Sequence, residues 1–553
     1  MIDKQKDKYI QFIIALIAAL LFIPFIGNVH LFDWDEINFA ESAREMIVSG
    51  DYLNVQINFI PFWEKPPLFI WIQVLSMKVF GINEFAARFP NAIIGIVTLL
   101  IIYNIGKRIY NIKFGVIWVV VYAASILPHF YFKSGIIDPL FNLFIFLGIY
   151  YFSLFDNKEG SKPLLNVILS ATFIGLGILT KGPVAFLLFF LTALIYLIAS
   201  KSYKKFLQLK VILVYAITVA FVGGFWFILQ ILSGNFNIIV DFIEYQIHLF
   251  SEEGAGHGGF FLYHFVVLFI GVFPASIFAL KSFRKYNEES SEQKSFKRWM
   301  IILFWVVLIL FTIVSTKIVH YSSMCYFPLT FLASYIIFKI IEHKQKFDLW
   351  MQITTGFLAI ILGSTVIALQ YIVKYKDIII ASDLIKDDFA VGNLQANVYW
   401  SGYEFLIGVM LIIGVISSII FFKTAKKQII GIFLSSLLFT ILSMIIIVPR
   451  IEQYSQNAAI GFFKEIAKED CYTDTYGYKS YANYFYFNKQ IPENPNALNK
   501  NWLLKGDIDK TVYIVCKNTA AKNFEKEYPA FTKIEEKNGF VFFKRGKELN
   551  KKN

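Results

Sequence analysis

Apolar runs close to the length needed to cross a bilayer recur along most of this 553-residue chain. Nothing in a bilayer core hydrogen-bonds an exposed backbone, so such runs must be helices of about 20 residues, or the strands of a closed barrel. The runs here are helix-length. Composition agrees: 57% of residues are hydrophobic and 17% charged, where a soluble domain carries about a quarter charged residues. The chain reads as an α-helical polytopic membrane protein.

About thirteen transmembrane helices are expected, at 9–29, 89–105, 114–131, 137–155, 164–179, 183–199, 210–231, 262–280, 299–315, 321–340, 350–373, 403–422 and 429–448. The first lacks a small-residue cleavage site and reads as retained. The run LFIWIQVLSMKVFG (68–81) is short and follows Lys65-Pro66-Pro67, so it reads as a helix lying at the interface. With the N-terminus inside, the cytoplasmic segments then include GKRIYNIK, SKSYKKFLQLK, KSFRKYNEESSEQKSFKR, KIIEHKQKF and KTAKK, as the positive-inside rule requires. Counting 68–81 as a crossing would place all of them outside. The net charge of +12 follows from this topology, without a nucleic-acid partner.

The same arithmetic puts 449–553 on the outer, periplasmic side. There TVYIVC and GFVFFK are strand-like and NAAIGFFKEIAKE is helix-like, which predicts a small α/β domain following a membrane domain of residues 1–448. Cys325, Cys471 and Cys516 give no metal spacing; whether Cys471 and Cys516 pair stays open at this level.

Polar residues gather on the outer face. The first outer loop (30–88) opens with DWDEINFAESAREMI, carrying Asp33, Asp35, Glu36 and Glu41, and continues to FIPFWEKPPLFIW with Glu64 and Lys65. Later outer segments supply Lys133 and Asp138, the TKGP of 180–183, the loop 232–261 with His248 and His257, and STKIVHY with Lys317, His320 and Tyr321. Ionisable groups near membrane depth are costly unless paired or used. Structural readings stand beside functional ones. Asp33 with Glu36 fits a helix-capping pattern, and TKGP reads as a tight turn with a snorkelling lysine.

In order, DEINFAESAREMI, SGDYL, FWEKPPLFIW, FGINEFAARFPNA, ILTKGPVAF and STKIVHY…YFPLTFLA resemble the bacterial lipid A aminoarabinose transferases, relatives of the protein O-mannosyltransferases. The resemblance covers about residues 9–340. It implies the GT-C fold, a polyprenyl-phosphate sugar donor, and a lipid A, glycan or protein acceptor at the outer surface of the inner membrane. By position, Asp35 matches the reaction-centre aspartate and Lys65 the lysine that contacts donor phosphate. Glu64 and His257 match positions associated with a divalent metal, two ligands being too few for a closed structural zinc site. Asp138 and Tyr321 fall where other pocket residues are expected. The chain departs from the family's Asp-Glu-x-Arg-Tyr-Ala-Glu at Asn38, which removes a guanidinium able to grip phosphate in two bonds.

The expected chemistry is one inverting displacement. Lys65, helped by Lys317, offsets charge on the leaving phosphate, while Asp35, with Glu36 and Asn38 in the same pocket, orients or deprotonates the acceptor. A lipid-linked-sugar transporter is the alternative, but it would need polar groups throughout the membrane depth.

Overall fold

The computed structural model describes residues 2–33, 35–156, 163–251, 259–283, 289–343 and 345–547. Each expected span falls on a helix or a broken helix pair. Among the described residues, seven helices are long and apolar enough to cross a membrane alone, and nine spans result if each sharply bent pair counts as one. The chain is a multi-pass membrane protein.

Two spans are not the straight rods expected. Residues 209–232 bend by 58° between Gly223 and Gly224, where a glycine pair leaves the helix without side-chain support. Residues 263–281 bend by 110° at Pro274, which disfavours helical backbone in the residue before it.

After α1 (Ile2–Phe22), the chain enters α2 (Asp35–Ser49), a two-stranded hairpin of β1 (Gln56–Ile57) and β2 (Ile60–Pro61), and α3 (Leu68–Phe80). At 13 residues, α3 rises about 20 Å, too short to cross. It leads into the long α4 (Glu84–Ile109). Residues 236–251, expected as loop, form a helix.

The C-terminal region folds as a mixed sheet in the order β3 (Cys471–Tyr476), β4 (Thr511–Lys517), β6 (Phe540–Arg545), β5 (Thr532–Lys537). The helix Asn457–Ile466 and strands β4 and β6 lie where their sequences suggested. Side chains alternate across the sheet: Tyr513, Val515, Phe540 and Phe542 join the core shared with the membrane helices, while Val512, Ile514, Val541 and Phe543 build a separate core with Phe524. Cys471 faces the first core and Cys516 the second. In the parallel β3–β4 register Cys516 lies opposite Tyr476 and Cys471 opposite Thr511. An offset of five residues, about 16 Å of strand, rules out a disulfide between them.

Candidate active site

Helix α2 is buried along most of its length, from Glu36 to Met46, although it carries several charged residues. Each of these buried ionisable side chains is held by partners. The Arg44 guanidinium bonds both oxygens of Glu41 at 2.6 and 2.7 Å and donates to the carbonyl of Lys489 at 2.6 Å. Glu45 accepts from the backbone N–H groups of Asn58 and Phe59 at 2.6 and 2.7 Å. These two residues form the hairpin turn, with φ of 60° and 54°, so Glu45 fixes the turn that leads into Phe62-Trp63-Glu64-Lys65. Lys489 also donates to the Asn58 side chain.

Glu36 is the second anchor. Its oxygens accept from the Arg88 guanidinium at 2.9 and 2.7 Å and from the N–H groups of Phe32 and Gly135. Burial opposes charge on this carboxyl, yet Arg88 and the two N–H groups hold its pKa below the usual value. Arg88 also bonds the carbonyls of Ile26, Val29 and His30. Glu36 thus braces the turn between α1 and α2.

Asp35, the first residue of α2, keeps 43% of its side-chain surface open. Its carboxylate lies 3.4 Å from His320 Nδ1. It borders two cavities. One, of about 700 Å3, is the more polar of the two, with Glu64, Lys65, Asp138, Lys181, His320 and Tyr321 in its wall. The other, of about 410 Å3, is mostly apolar and includes Phe25, Leu127, Phe130, Met444 and Ile445. Asp33 and Asp35 line both.

In the polar cavity Lys181 Nζ lies 2.6 Å from Asp138 Oδ1. The turn after the helix Pro163–Lys181 requires Gly182, at φ +94°, and so TKGP is a turn whose lysine also enters the cavity. Lys65 sits 5.3 Å from the Tyr245 ring centroid and donates to the Glu64 carbonyl. Burial lowers the Lys65 pKa; Glu64 opposes that shift and Lys181 adds to it. Asn38, one helical turn beyond Asp35 and so on the same face, is buried, and its Oδ1 has no partner among the described residues. Asn142 donates to Ser323 at 2.8 Å in the same wall.

Of the residues singled out from sequence, Asp35, Asn38, Glu64, Lys65, Asp138 and Tyr321 come together here. Lys317 does not. Its ammonium donates to the carbonyls of Phe311, Thr312 and Val314 at 3.1, 2.7 and 2.6 Å, closing the end of helix Ser291–Ile313. Lys133 likewise bonds the carbonyls of Leu21 and Pro24. Glu36 borders the apolar cavity with its oxygens already engaged. His257 lies outside the described residues, and the side chain of His248 does too. Among the described residues no three His, Cys, Asp or Glu side chains converge as a metal site; Glu64 alone does not supply a ligand set. Sequence reasoning grouped Lys181 and His320 with the outer-face polar residues without giving either a role at the site, and it missed Tyr245 and Lys479 of the C-terminal region as cavity residues.

The profile of the family described as dolichyl-phosphate-mannose-protein mannosyltransferase matches residues 64–226, a stretch that contains Glu64, Lys65, Asp138 and Lys181. The undecaprenyl phosphate-alpha-4-amino-4-deoxy-L-arabinose arabinosyl transferase of Wigglesworthia glossinidia brevipalpis is 27% identical over 347 residues, 62% of this chain and 61% of that protein. Its counterpart from Edwardsiella ictaluri is 25% identical over 336 residues, 59% of each chain. The matches thus span about three fifths of these relatives' length. Crystal structures of ArnT from Cupriavidus metallidurans superpose over nearly the whole chain. The apo form has a TM-score of 0.71 at 14% identity, covering 98% of each chain. The form bound to undecaprenyl phosphate has a TM-score of 0.69, covering 96% of this chain and 97% of that one. The chain thus has the fold of the ArnT crystal structures, and its sequence is similar to the arabinosyl transferases over about three fifths of their length and to the mannosyltransferase family over residues 64–226.

Proposed function

We propose that this protein transfers a sugar from a polyprenyl-phosphate donor to a lipid A, glycan or protein acceptor at the periplasmic face of a bacterial inner membrane, with inversion. The observation that carries the reading is the position of Asp35 where a cation-bearing polar cavity meets an apolar one. Its relatives are named for a donor of this class. Residues 1–448 form the membrane domain, and 449–553 a domain on the outer side.

Lys65 and Lys181 neutralise the donor phosphate as its bond to the anomeric carbon breaks. Asp138 holds Lys181 in place through its 2.6 Å ion pair. The acceptor enters against Asp35, which takes the proton of an attacking hydroxyl, or positions an acceptor that is already anionic. One attack opposite the leaving phosphate inverts the anomeric carbon. Asn38 Oδ1 accepts a hydrogen bond from the sugar, since a buried acceptor without a partner is costly. Tyr321 closes the wall near Lys181, with its ring centroid 5.7 Å from that ammonium.

The test is sugar transfer from a mixture of labelled polyprenyl-phosphate sugars to membrane extract, with wild type, Asp35→Asn and Lys65→Ala. Label reaching an acceptor with wild type alone supports the assignment. Donor crossing liposomes with no covalent product refutes it in favour of transport.

A further inference from the structure

Two separate helices repeat one pattern in the wall of the larger cavity. Asp35 opens α2 and Asn38 stands one turn on; Asp138 opens the helix Asp138–Asp156 and Asn142 stands one turn on. Residues three or four apart share a helix face, so each acid has an amide beside it in the same wall. Both amides are more than nine-tenths buried, with 8% of Asn38 and 5% of Asn142 exposed. Asn38 makes no side-chain hydrogen bond among the described residues, and its Oδ1 is a buried acceptor left unmatched. Asn142 gives one N–H to Ser323 at 2.8 Å, and its Oδ1 has no partner among the described residues. Neither amide lines the apolar cavity.

We infer that Asn38 and Asn142 together read the hydroxyls of an uncharged sugar on the donor. This rests on the reading above of a polyprenyl-phosphate-linked sugar as donor. The sugar carbon that reacts lies between its phosphate, at Lys65 and Lys181, and the acceptor, at Asp35. One amide is a helical turn from Asp35, and the other a turn from the Asp138 that pairs with Lys181, so the two flank that ring. An amide offers both donors and an acceptor and carries no charge, as a hydroxyl does; an ammonium only donates and a carboxylate only accepts. The acids of the wall are already engaged: Asp138 by Lys181, Asp35 beside His320, Asp33 by Ser480 at 2.8 Å, and Glu64 beside Lys65 and Tyr245. An amino group on the sugar therefore meets Lys65 and Lys181 without a carboxylate of its own. An acidic sugar competes with its own phosphate for the same two lysines.

The experiment measures binding to the full-length protein in detergent, by competition with labelled undecaprenyl phosphate. The competitors are undecaprenyl phosphate itself and its glucose, mannose, galactose and L-arabinose derivatives. Beside them stand the amino-deoxy counterpart of each, including the 4-amino-4-deoxy-L-arabinose for which the relatives are named, and the uronic acids of the three hexoses. The expected result is that one neutral sugar binds more tightly than the bare lipid phosphate and than its own charged counterparts. Asn38→Ala and Asn142→Ala each lower that gain about fivefold, the scale of one neutral hydrogen bond, with affinity for the bare lipid phosphate unchanged. Asn38→Asp supplies a carboxylate and moves the preference toward the amino sugar, which a purely structural role would not do. A wild type that prefers a charged sugar, or gains nothing from any neutral one, overturns the inference. So do alanine variants that keep the gain, or that weaken the bare lipid phosphate equally. Transfer to membrane extract is scored separately: a sugar-dependent gain in binding without transfer removes the transferase reading and leaves the sugar recognition standing. A wild type that does not bind undecaprenyl phosphate at all removes both.

Discussion

Asp35 and His320 approach to 3.4 Å, although one opens the helix α2 and the other follows the helix Ser291–Ile313. The imidazole orients the carboxylate at the place where both cavities reach it. Asp35→Asn keeps the shape and removes the base. Transfer to a hydroxyl acceptor is expected to fall by about 10²–10⁴-fold, with donor affinity retained, measured by initial rates and by donor binding on the same preparations.

In the proposed mechanism Lys65 holds phosphate only while protonated. Burial lowers its pKa, so the ammonium is lost on raising the pH before an ordinary lysine, near 10.4, would lose it. The alkaline limb of kcat/KM, which reports the free enzyme, is expected below that value. Lys65→Arg stays charged throughout and moves the limb upward, while Lys65→Ala weakens donor binding by roughly 10–100-fold.

Glu36 and Lys317 are predicted to act through the scaffold. Arg88→Ala leaves the Glu36 carboxylate buried without its main partner, a loss of about 3–5 kcal/mol for such pairs, read as a lower midpoint of thermal unfolding in detergent. Lys317→Ala also lowers that midpoint by opening a helix end, yet leaves donor KM within about twofold, as expected for a site without substrate contact.

Glu45 has its pKa pushed up to about 9, first by burial and then by the Glu41 carboxylate nearby. Because the folded value exceeds the unfolded one, the folded state holds the extra proton. Its stabilising contribution is complete below the unfolded pKa, near 4.3, and is gone once pH passes about 9. Unfolding midpoints should decline from neutral pH toward pH 9. Glu45→Gln, which carries no titrating proton, should flatten that decline.

Much of the site was legible because its residues sit in distinctive local settings. Asp35 follows closely on an apolar span, and Lys65 precedes two prolines, so their expected address on the outer face needed only the charge count of the loops. Lys181 was not legible. Gly182 does make the turn that TKGP suggested, and nothing in four residues shows the lysine meeting Asp138, 43 positions earlier. Tyr245 was hidden because its segment read as loop, whereas packing makes it a helix. Lys317 misled for a different reason. A lysine just past a helix end is a common partner for the last carbonyls, a signal that a grouping by membrane face overlooks. The C-terminal strands were readable from their β-branched and aromatic runs, but the loop bearing Lys479 carries no such pattern, and it reaches the cavity wall through a turn that only the folded sheet supplies.

Asp33 and Asp35 are common to the two cavities, and among the described residues the remaining linings differ. Mutations in Met444 or Ile445 can reshape one chamber while Lys65 and Asp138 in the other stay untouched. Such a partition lets a lineage retune one substrate at a time, with the two acids as the fixed hinge between separately evolving halves.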